Sequence, residues 1–291
     1  MTSGVSLIIV NFNAGAELLR CLEAVAAQTV LPSRLLLVDN ASIDGSLEKA
    51  RELLASKPNL SAIADVCAHP KNLGFAAANN QAISMCDTEF VALLNPDGIP
   101  QPDWLENLLA ASNRHPTAAS FGSLQMLDSA AKIVDGLGDF YHPAGICWRR
   151  RHGKVLRTRD LVEDETTSAC AAAALYRRAA FMEVGGFDET FFCYVEDVDL
   201  GLRLRRRGYP SVFVPSAVVE HSSKNSRSDF AVYHGHRNIV WCFFKNTPPV
   251  LLLFWIIPHL LTSAGALAAC LLRRQAIVFL RSKADALKSL P

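Results

Sequence analysis

The sequence predicts an α/β domain with a mostly parallel central sheet, followed by an apolar helical segment at the C-terminus. Short apolar runs alternate with amphipathic segments over the first ~120 residues, and these runs are apolar at nearly every position. Strands of this kind are buried on both faces, as in a parallel sheet covered by helices. The uncharged apolar stretch 250–272 predicts the C-terminal helix.

Four strand–helix pairs come first in the chain. We expect strands at 5–10, 34–39, 61–67 and 89–95, and helices at 16–28, 45–55, 74–84 and 102–113. Residues 132–154 have the character of a hairpin, and 166–178 are typical of a small-residue strand that enters a helix. Because no linker-like composition precedes residue 246, we predict one domain over 1–246 and an appendage over 247–291.

Composition excludes several classes of protein. Half of the residues are hydrophobic, which argues against disorder, and a net charge of +1 gives no field for a nucleic-acid partner. The eight cysteines are widely spaced without a CxxC pair, which favours reduced thiols in a cytoplasmic protein over disulfides or a zinc site. The apolar run at 5–10 is too short for a signal peptide.

Polar residues follow each of the four predicted parallel strands, at 11–13, 39–40, 69–72 and 95–97. In open parallel sheets, ligands bind at the carboxyl ends of the strands, so these positions predict a binding site. The alternative is that Asn, Asp and Pro simply form turns there.

These strand ends offer a distinct chemistry. The carboxylate of Asp39 can accept hydrogen bonds from a nucleobase imide or from ribose hydroxyls, while Asn72 and Asn79 supply uncharged donors. Gly74 permits close approach of a ligand, and the N-terminus of the helix that starts there favours a diphosphate. Asp97 lies where a hard cation could be held between the protein and substrate phosphates. Turn formation and tight packing are the alternatives.

An acidic cluster begins another predicted helix, directly behind the aromatic run 191–194. Asp199 can pair with Arg203 at i,i+4, while Asp197 lies at the edge of the apolar face beside Glu196. Partial desolvation would raise the pKa of Asp197, as a general base that works near neutrality requires. The alternative is that acids in the first turn only offset the helix dipole.

Together these motifs resemble inverting family-two glycosyltransferases. The matching segments occur in the family's order, at VSLIIVNFN (5–13), VDNASIDGS (38–46), NLGFAAANN (72–80), LLNPD (93–97) and GGFDETFFCYVEDVDLGLRLRRRGY (185–209). Their spacing is most similar to the bacterial rhamnosyltransferase-like branch, which extends O-antigens and cell-wall linkers. The resemblance covers residues 5–246 and implies a glycosyltransferase A-type catalytic domain over 1–246.

The resemblance also implies the residues that bind the nucleotide sugar. Phe12 matches the aromatic residue beside the base, and Asp39 matches the residue that binds the pyrimidine. The stretch from Asn72 to Asn80 matches the lining of the nucleotide sugar, so that Gly74, Phe75 and Asn79 join Asn72 as expected contacts. Arg237 and Asn238 match a pair of residues on the diphosphate side.

Catalytic and metal residues follow from the same resemblance. Asp197 matches the catalytic base, and we assign Glu196 and Asp199 beside it to substrate binding. Asn95-Pro96-Asp97 matches an aspartate-any-aspartate motif whose first aspartate is replaced here by Asn95, a further expected substrate contact. Asp97 would then be the main carboxylate on Mg²⁺ or Mn²⁺, with His221 as a second ligand.

The implied reaction is sugar transfer with inversion from a nucleotide-sugar donor, for which the resemblance favours dTDP-L-rhamnose. The implied acceptor is a lipid-linked saccharide on polyprenyl diphosphate. A UDP-hexose or UDP-galactofuranose donor stays open, because thymine and uracil offer these residues the same groups. A sugar-phosphate nucleotidyltransferase and a non-catalytic membrane scaffold are the alternatives from other classes.

The stretch 250–272 would be about 34 Å long as a straight helix, enough to cross a bilayer. Pro258 and His259 interrupt it, so a kinked or re-entrant hairpin fits at least as well, and a buried core helix is a third alternative. Five basic residues in the tail, with Arg149 to Arg151, favour anionic lipid. We therefore expect a peripheral or monotopic protein on the cytoplasmic face of the inner membrane.

Overall fold

The structure, a computed structural model, describes residues 2–222 and 228–290. Its strands are Thr2–Asn11 (β1), Arg34–Asp39 (β2), Ala64–Ala68 (β3), Thr88–Leu94 (β4), Gly98–Pro100 (β5), Ser120–Asp128 (β6), Ile133–Gly136 (β7), Asp139–His142 (β8), Ile146–Arg149 (β9), Asp164–Thr166 (β10), Ala173–Arg177 (β11) and Ser211–His221 (β12). Its α-helices are Ala16–Ala26 (α1), Ser46–Ser56 (α2), Pro58–Ser61 (α3), Gly74–Ser84 (α4), Trp104–Arg114 (α5), Arg178–Glu183 (α6), Glu196–Arg206 (α7), Asp229–Asn246 (α8), Pro249–Leu272 (α9) and Ala276–Lys288 (α10).

One large sheet has the strand order β3-β2-β1-β4-β11-β6-β12-β10. Strands β1 to β4 pair in parallel, which confirms the predicted parallel arrangement of the first four strands. Strand β11 then pairs antiparallel with both β4 and β6, while β6 and β12 run parallel to each other. The carboxyl ends of the four parallel strands therefore lie along one edge of the sheet.

Apolar side chains cover both faces of this sheet. Along β1, Leu7 and Ile9 pack with α1 and α5 in one cluster, whereas Ile8 packs with α4 and α7 in the other. Successive side chains of a strand point to opposite faces, so an uninterrupted apolar run is what a sheet with helices on both sides requires.

Most element boundaries follow the sequence prediction. Strand β2 and helix α4 have the predicted bounds, and β8 and β9 form the predicted hairpin, as a separate two-stranded sheet. Strand β3 begins three residues later than expected, because Pro58 starts the short helix α3. The small-residue stretch forms β11 and leads directly into α6.

Helix α9 continues through Pro258, so the predicted interruption by a re-entrant hairpin is wrong. Only 6% of its most apolar 18 residues is buried, which also argues against the core-helix alternative. By length and composition α9 could cross a membrane.

The middle of α9 is attached to the rest of the chain through His259. Its ring stacks on Phe243 of α8 with 4.1 Å between centroids, and Nδ1 lies 2.9 Å from the Ala144 carbonyl in the β8–β9 turn. Ala286 of α10 packs in one cluster with Trp241 of α8. The segment after residue 246 is therefore joined to the domain by side-chain contacts, and the boundary at 246 stays a prediction.

Candidate active site

A cavity of about 780 Å³ opens where β4, the β8–β9 hairpin and the N-terminus of α7 meet. Six of the residues singled out from the sequence line it: Phe75, Asn95, Asp97, Glu196, Asp197 and His221. The volume lies in the range typical of small-molecule and cofactor sites. This cavity is the candidate active site.

Asp197 lies in the first turn of α7 with its carboxylate oriented by two backbone amides. Its Oδ1 accepts from Val198 N at 2.8 Å, and its Oδ2 accepts from Ala171 N at 3.2 Å. Burial raises the pKa of Asp197 above its ordinary value, while Arg149 and these two hydrogen bonds act against the increase. A raised pKa and a fixed orientation are what a carboxylate base needs.

Glu196 directly precedes Asp197 and is buried in the wall of the same cavity. Its Oε2 has no hydrogen-bond partner among the described residues. Burial and the neighbouring Asp197 raise the pKa of Glu196 well above its usual range. A buried carboxyl oxygen without a partner is costly, and a ligand hydroxyl in the cavity would satisfy it.

The loop before α7 has an unusual backbone. Phe192, Tyr194 and Val195 have φ values of 65°, 70° and 73°. The left-handed region is unfavourable for residues with a Cβ, and each such residue costs about 1–3 kcal/mol. The loop therefore needs support from its surroundings, because it sets where α7 and Asp197 begin.

Asn238 of α8 supplies that support. This residue is fully buried, and its amide nitrogen donates to the carbonyl oxygens of Phe191 at 2.9 Å, Cys193 at 2.9 Å and Tyr194 at 2.7 Å. Its Oδ1 accepts from Arg237 Nε at 2.9 Å. One side chain thus connects α8 to most of the strained loop.

A part-buried guanidinium lies between the acidic groups of the cavity. Arg149 donates to Asp135 Oδ2 at 2.7 Å and to Cys170 Sγ at 2.9 Å, and its Nε lies 3.5 Å from Asp139 Oδ1. Burial and the nearby charge of Asp197 raise the pKa of Asp139 to about 7, although Arg149 acts in the opposite direction. Possible ligand atoms of Asp139, Cys170 and Asp197 lie within 4.8 Å of one another, but Arg149 already supplies positive charge there.

The sequence did not indicate that Asp135, Asp139 and Cys170 belong to the site. The signal available was two aspartates that flank the glycines of the predicted hairpin, without any indication of what they face.

The three arginines expected to attract an anionic lipid all lie near carboxylates. Arg149 faces Asp135 and Asp139 in the cavity lining, and its attraction of an anionic lipid stays a prediction. Arg150 pairs with Asp164 at 2.9 Å, and Arg151 lies 3.2 Å from Asp160.

The predicted metal residues meet at the end of β4. Asp97 Oδ1 lies 3.3 Å from His221 Nε2, and Asp97 Oδ2 accepts from Ser222 Oγ at 2.9 Å. The Nδ2 atom of Asn95 lies 3.4 Å from the same His221 nitrogen. On its other side, His221 Nδ1 lies 2.9 Å from Asp135 Oδ2.

This donor set fits a divalent cation. A carboxylate and an imidazole face each other, and a second carboxylate orients the far side of the imidazole ring, as is common for metal-binding histidines. Burial opposes a charge on Asp97, but the contacts with His221 and Ser222 lower the pKa of Asp97, so the carboxylate is ionised near neutrality. Although burial opposes its charge too, Asp135 and Asp97 raise the pKa of His221 to about 9, so a cation that binds here must displace the proton of the ring.

The predicted nucleotide residues form a second group at the ends of β1 and β2, outside the lining of the cavity. Asp39 Oδ1 accepts from Asn11 Nδ2 at 2.8 Å, and Asp39 Oδ2 accepts from Ser42 N at 3.0 Å. Asn72 Oδ1 accepts from the neighbouring Asn40 at 2.8 Å. Phe12 is half exposed at the end of β1. The structure therefore brings Phe12, Asp39 and Asn72 to the same edge of the sheet.

Two backbone N–H groups near the N-terminus of α4 already have partners, and the predicted role of this helix end in diphosphate binding stays a prediction. The Gly74 N–H donates to Asn72, and the Ala76 N–H donates to the Phe192 carbonyl at 3.1 Å. A Cβ on Gly74 would lie 2.5 Å from the Phe192 ring, so this glycine permits close packing of the loop. Asn79 is buried and donates to Phe75 O at 2.9 Å within the helix. Gly74 and Asn79 therefore lie outside the cavity lining.

Asp199 and Arg237 also lie outside that lining. Asp199 is fully buried and forms the predicted i,i+4 pair with Arg203 at 2.8 Å, and it also accepts from Lys245 and Asn246 of α8. Arg237 stacks on Trp241 at 4.2 Å and donates to the loop. Asp199 connects α7 to α8, and Arg237 connects α8 to the loop before α7. These contacts account for both charged side chains without a bound ligand.

Comparison with known proteins identifies the class of this site. Residues 6–185 match the model of the glycosyl transferase family 2. A relative from Mycobacterium tuberculosis, N-acetylglucosaminyl-diphospho-decaprenol L-rhamnosyltransferase, is 29% identical, with 92% of each chain covered. The O-antigen chain rhamnosyltransferase of Salmonella typhimurium is 26% identical over 79% of this chain and 70% of its own length.

A solved structure shows the same fold. The mannosyltransferase from Pyrobaculum calidifontis, in complex with GDP-Man and Mn²⁺, superposes with a TM-score of 0.63 at 17% identity. The match covers 99% of this chain and 81% of that one. The predicted glycosyltransferase A-type fold is confirmed.

We expect Asn238→Asp to lower the free energy of unfolding by at least about 2 kcal/mol, because it replaces a buried donor by an acceptor against three carbonyl oxygens. Urea denaturation followed by circular dichroism measures the change. Asn59→Ala is the control, since Asn59 donates to a single carbonyl at an exposed site, and it should cost less than about 1 kcal/mol. Equal losses in the two variants would show that Asn238 has no special role.

Proposed function

The chain belongs to glycosyl transferase family 2, and we propose that it transfers L-rhamnose from dTDP-L-rhamnose, with inversion, to an N-acetylglucosaminyl-diphospho-polyprenol. The observation that carries this proposal is the part-buried, oriented carboxylate of Asp197 in a cavity that also contains Asp97 and His221. Family membership makes the chain a glycosyltransferase, which sets aside the nucleotidyltransferase and scaffold alternatives.

The names of the two rhamnosyltransferase relatives support the sugar, and that of the mycobacterial relative supports the lipid-linked acceptor. The residues at the ends of β1 and β2 support a pyrimidine nucleotide in general, since Asp39 can accept from the imide N–H of thymine or uracil alike. A UDP-hexose or UDP-galactofuranose donor is the alternative within the same chemistry.

In the proposed reaction, Asp197 accepts the proton of the acceptor hydroxyl as that oxygen forms a bond to the anomeric carbon. The bond from this carbon to the phosphate oxygen breaks, and the nucleoside diphosphate leaves with the electron pair from the opposite face. One displacement without an enzyme nucleophile gives inversion. Glu196, whose Oε2 lacks a partner among the described residues, would contact a sugar hydroxyl.

Asp97 and His221 would hold Mg²⁺ or Mn²⁺, with Asp135 orienting the imidazole. When bound, the cation supplies positive charge that offsets the charge developing on the leaving diphosphate. The positive charge of Arg149 offsets the negative charges of Asp135 and Asp139. It thereby lowers the cost of burying several carboxylates near the proposed base.

We further propose that α9 lies in the plane of the inner membrane's cytoplasmic surface. Leu253, Phe254, Ile257 and Leu261 are more than 60% exposed and recur at helical spacing, so they form a continuous apolar stripe. On the opposite side of α9, His259 contacts the domain at the middle of the helix through a hydrogen bond and a stacked ring. A helix that lies in the membrane plane fits these contacts better than a helix that crosses the membrane.

The surroundings of the stripe support this location. The exposed basic residues Arg273, Arg274, Arg281 and Lys288 lie beyond it and suit anionic headgroups.

We expect Asp197→Asn to lower kcat by about 10²–10⁴-fold, because the amide cannot accept the proton. Transfer from radiolabelled dTDP-L-rhamnose measures the rate, and Asp87→Asn at an exposed site is the control. In the wild type, kcat/KM should fall as the pH decreases through the raised pKa of Asp197, since the protonated form is inactive. An Asp197→Asn variant with unchanged kcat would exclude this residue as the base.

We expect Asp97→Ala to weaken Mn²⁺ binding by at least about tenfold, because it removes the main carboxylate ligand. Titration of Mn²⁺ followed by electron paramagnetic resonance measures the affinity without any turnover. Asp103→Ala, an exposed aspartate at the start of α5, is the matched control. Unchanged Mn²⁺ affinity in the Asp97 variant would place the cation elsewhere.

We expect the double variant Leu253→Glu/Ile257→Glu to partition at least about tenfold less onto phosphatidylglycerol vesicles, because two exposed apolar side chains of the stripe become charged. Co-sedimentation measures the bound fraction. Val155→Glu/Val162→Glu introduces the same charges at two other exposed positions and controls for net charge. Equal partitioning of the two double variants would contradict docking through α9.

A further inference from the structure

The β8–β9 hairpin has one apolar face that the proposed mechanism does not use. In its register, Phe140 pairs with Trp148 and His142 pairs with Ile146, so these four side chains share one face. Trp148 is 46% exposed and Ile146 38% exposed. The Phe140 and Trp148 rings stack with 5.8 Å between centroids. We call these four residues the hairpin strip.

The opposite face of the hairpin explains its position. Tyr141 and Cys147 pack against the cluster that contains Trp241 and Phe191. Because side chains alternate along a strand, burial of this face turns the hairpin strip outward. Packing against this cluster accounts for the inner face, whereas Trp148 and Ile146 on the outward face stay exposed.

One end of the hairpin strip reaches the candidate active site. Trp148 lines the cavity, as do Asp139 and Arg149, which form the next cross-strand pair. Because Trp148 lines the same cavity as Asp197 and is exposed, it lies at the rim of the cavity that contains the proposed base.

The other end reaches α9. The His142 ring meets the Trp255 ring edge-on, with 5.2 Å between centroids, and the hairpin turn bonds to His259 through the Ala144 carbonyl. The two cross-strand pairs are two residues apart, which corresponds to about 7 Å along the strand. The hairpin strip is therefore a short, continuous apolar connection between the cavity rim and the exposed apolar helix.

A cationic group lies beside this connection. The Arg150 guanidinium carbon is 5.4 Å from the centroid of the Phe140 ring, and its partner Asp164 is largely exposed. An ion pair with an exposed carboxylate is weak, so the guanidinium can also attract a diphosphate that passes over the strip.

We propose that the hairpin strip is the acceptor-binding surface, with Trp148 as the platform for the acceptor sugar and Ile146 and Trp255 in contact with the isoprenoid chain. This inference rests on the proposed function. An indole ring presents a flat apolar surface that matches the C–H face of a pyranose, and the apolar residues nearer α9 match a hydrocarbon chain. The sugar then lies at the cavity rim while the chain continues toward α9.

Two acceptor probes separate the two parts of the hairpin strip. Both carry N-acetylglucosaminyl diphosphate, one on a polyprenyl chain in detergent and the other on a short alkyl chain in water. We expect Trp148→Ala to weaken binding of both probes by at least about tenfold, and Trp148→Phe to recover most of the loss because it keeps an aromatic face. We expect Ile146→Asp to weaken binding of the polyprenyl probe only.

Calorimetric titration of the full chain without donor measures these affinities. Val162→Ala, at another exposed apolar position, is the matched control and should bind both probes as the wild type does. Affinity for dTDP-L-rhamnose should stay within about twofold of wild type in every variant, since the hairpin strip lies apart from the ends of β1 and β2.

The inference is overturned if Trp148→Ala binds both probes like the wild type, if it loses donor affinity to the same extent, or if the wild-type chain binds neither probe. A failure of the proposed function gives a different result. In that case the wild-type chain binds the probes and depends on Trp148, but transfers no rhamnose to them from dTDP-L-rhamnose.

Discussion

The position of the proposed base depends on one buried amide. Asn238 holds a loop in which three residues with side chains adopt left-handed backbone angles, and this loop determines where α7 begins. Three such residues together cost several kcal/mol, which contacts with neighbouring elements help to offset. Helix α8 therefore acts as a support for the active site, although its amide forms no part of the cavity lining.

The charged groups form a continuous network across the cavity. It runs from Asp97 through His221 to Asp135, and then through Arg149 to Asp139 and the region of Asp197. Each carboxylate in a low-dielectric site raises the cost of ionising the next, and the single guanidinium reduces that cost. The proposed metal residues and the proposed base are thus electrostatically coupled through groups of the β7–β9 region.

The sequence predicts most of the fold and part of the site, for reasons that differ between residues. Apolar periodicity is local, so it places β2 and α4 correctly, and the acidic first turn of α7 is visible for the same reason. The environment of Asp199 depends on Lys245 and Asn246, which are 46 and 47 residues further along the chain. The sequence of α7 alone therefore does not indicate that this carboxylate is buried. The inward orientation of Arg149 likewise depends on how the hairpin packs. Pro258 suggested a break in α9, but the helix continues through it. The next residue, His259, contacts the carbonyl of Ala144, which lies 115 residues earlier in the chain.

The attachment of His259 to the hairpin turn has a consequence for how the protein would respond to different lipids. A helix that crosses a bilayer must match the hydrocarbon thickness, whereas a helix held flat at its midpoint has no such requirement. With α9 in the membrane surface, the catalytic cavity would keep one height above the headgroups in thin and thick membranes alike. Such an enzyme would tolerate changes in acyl-chain length and remain sensitive to headgroup charge.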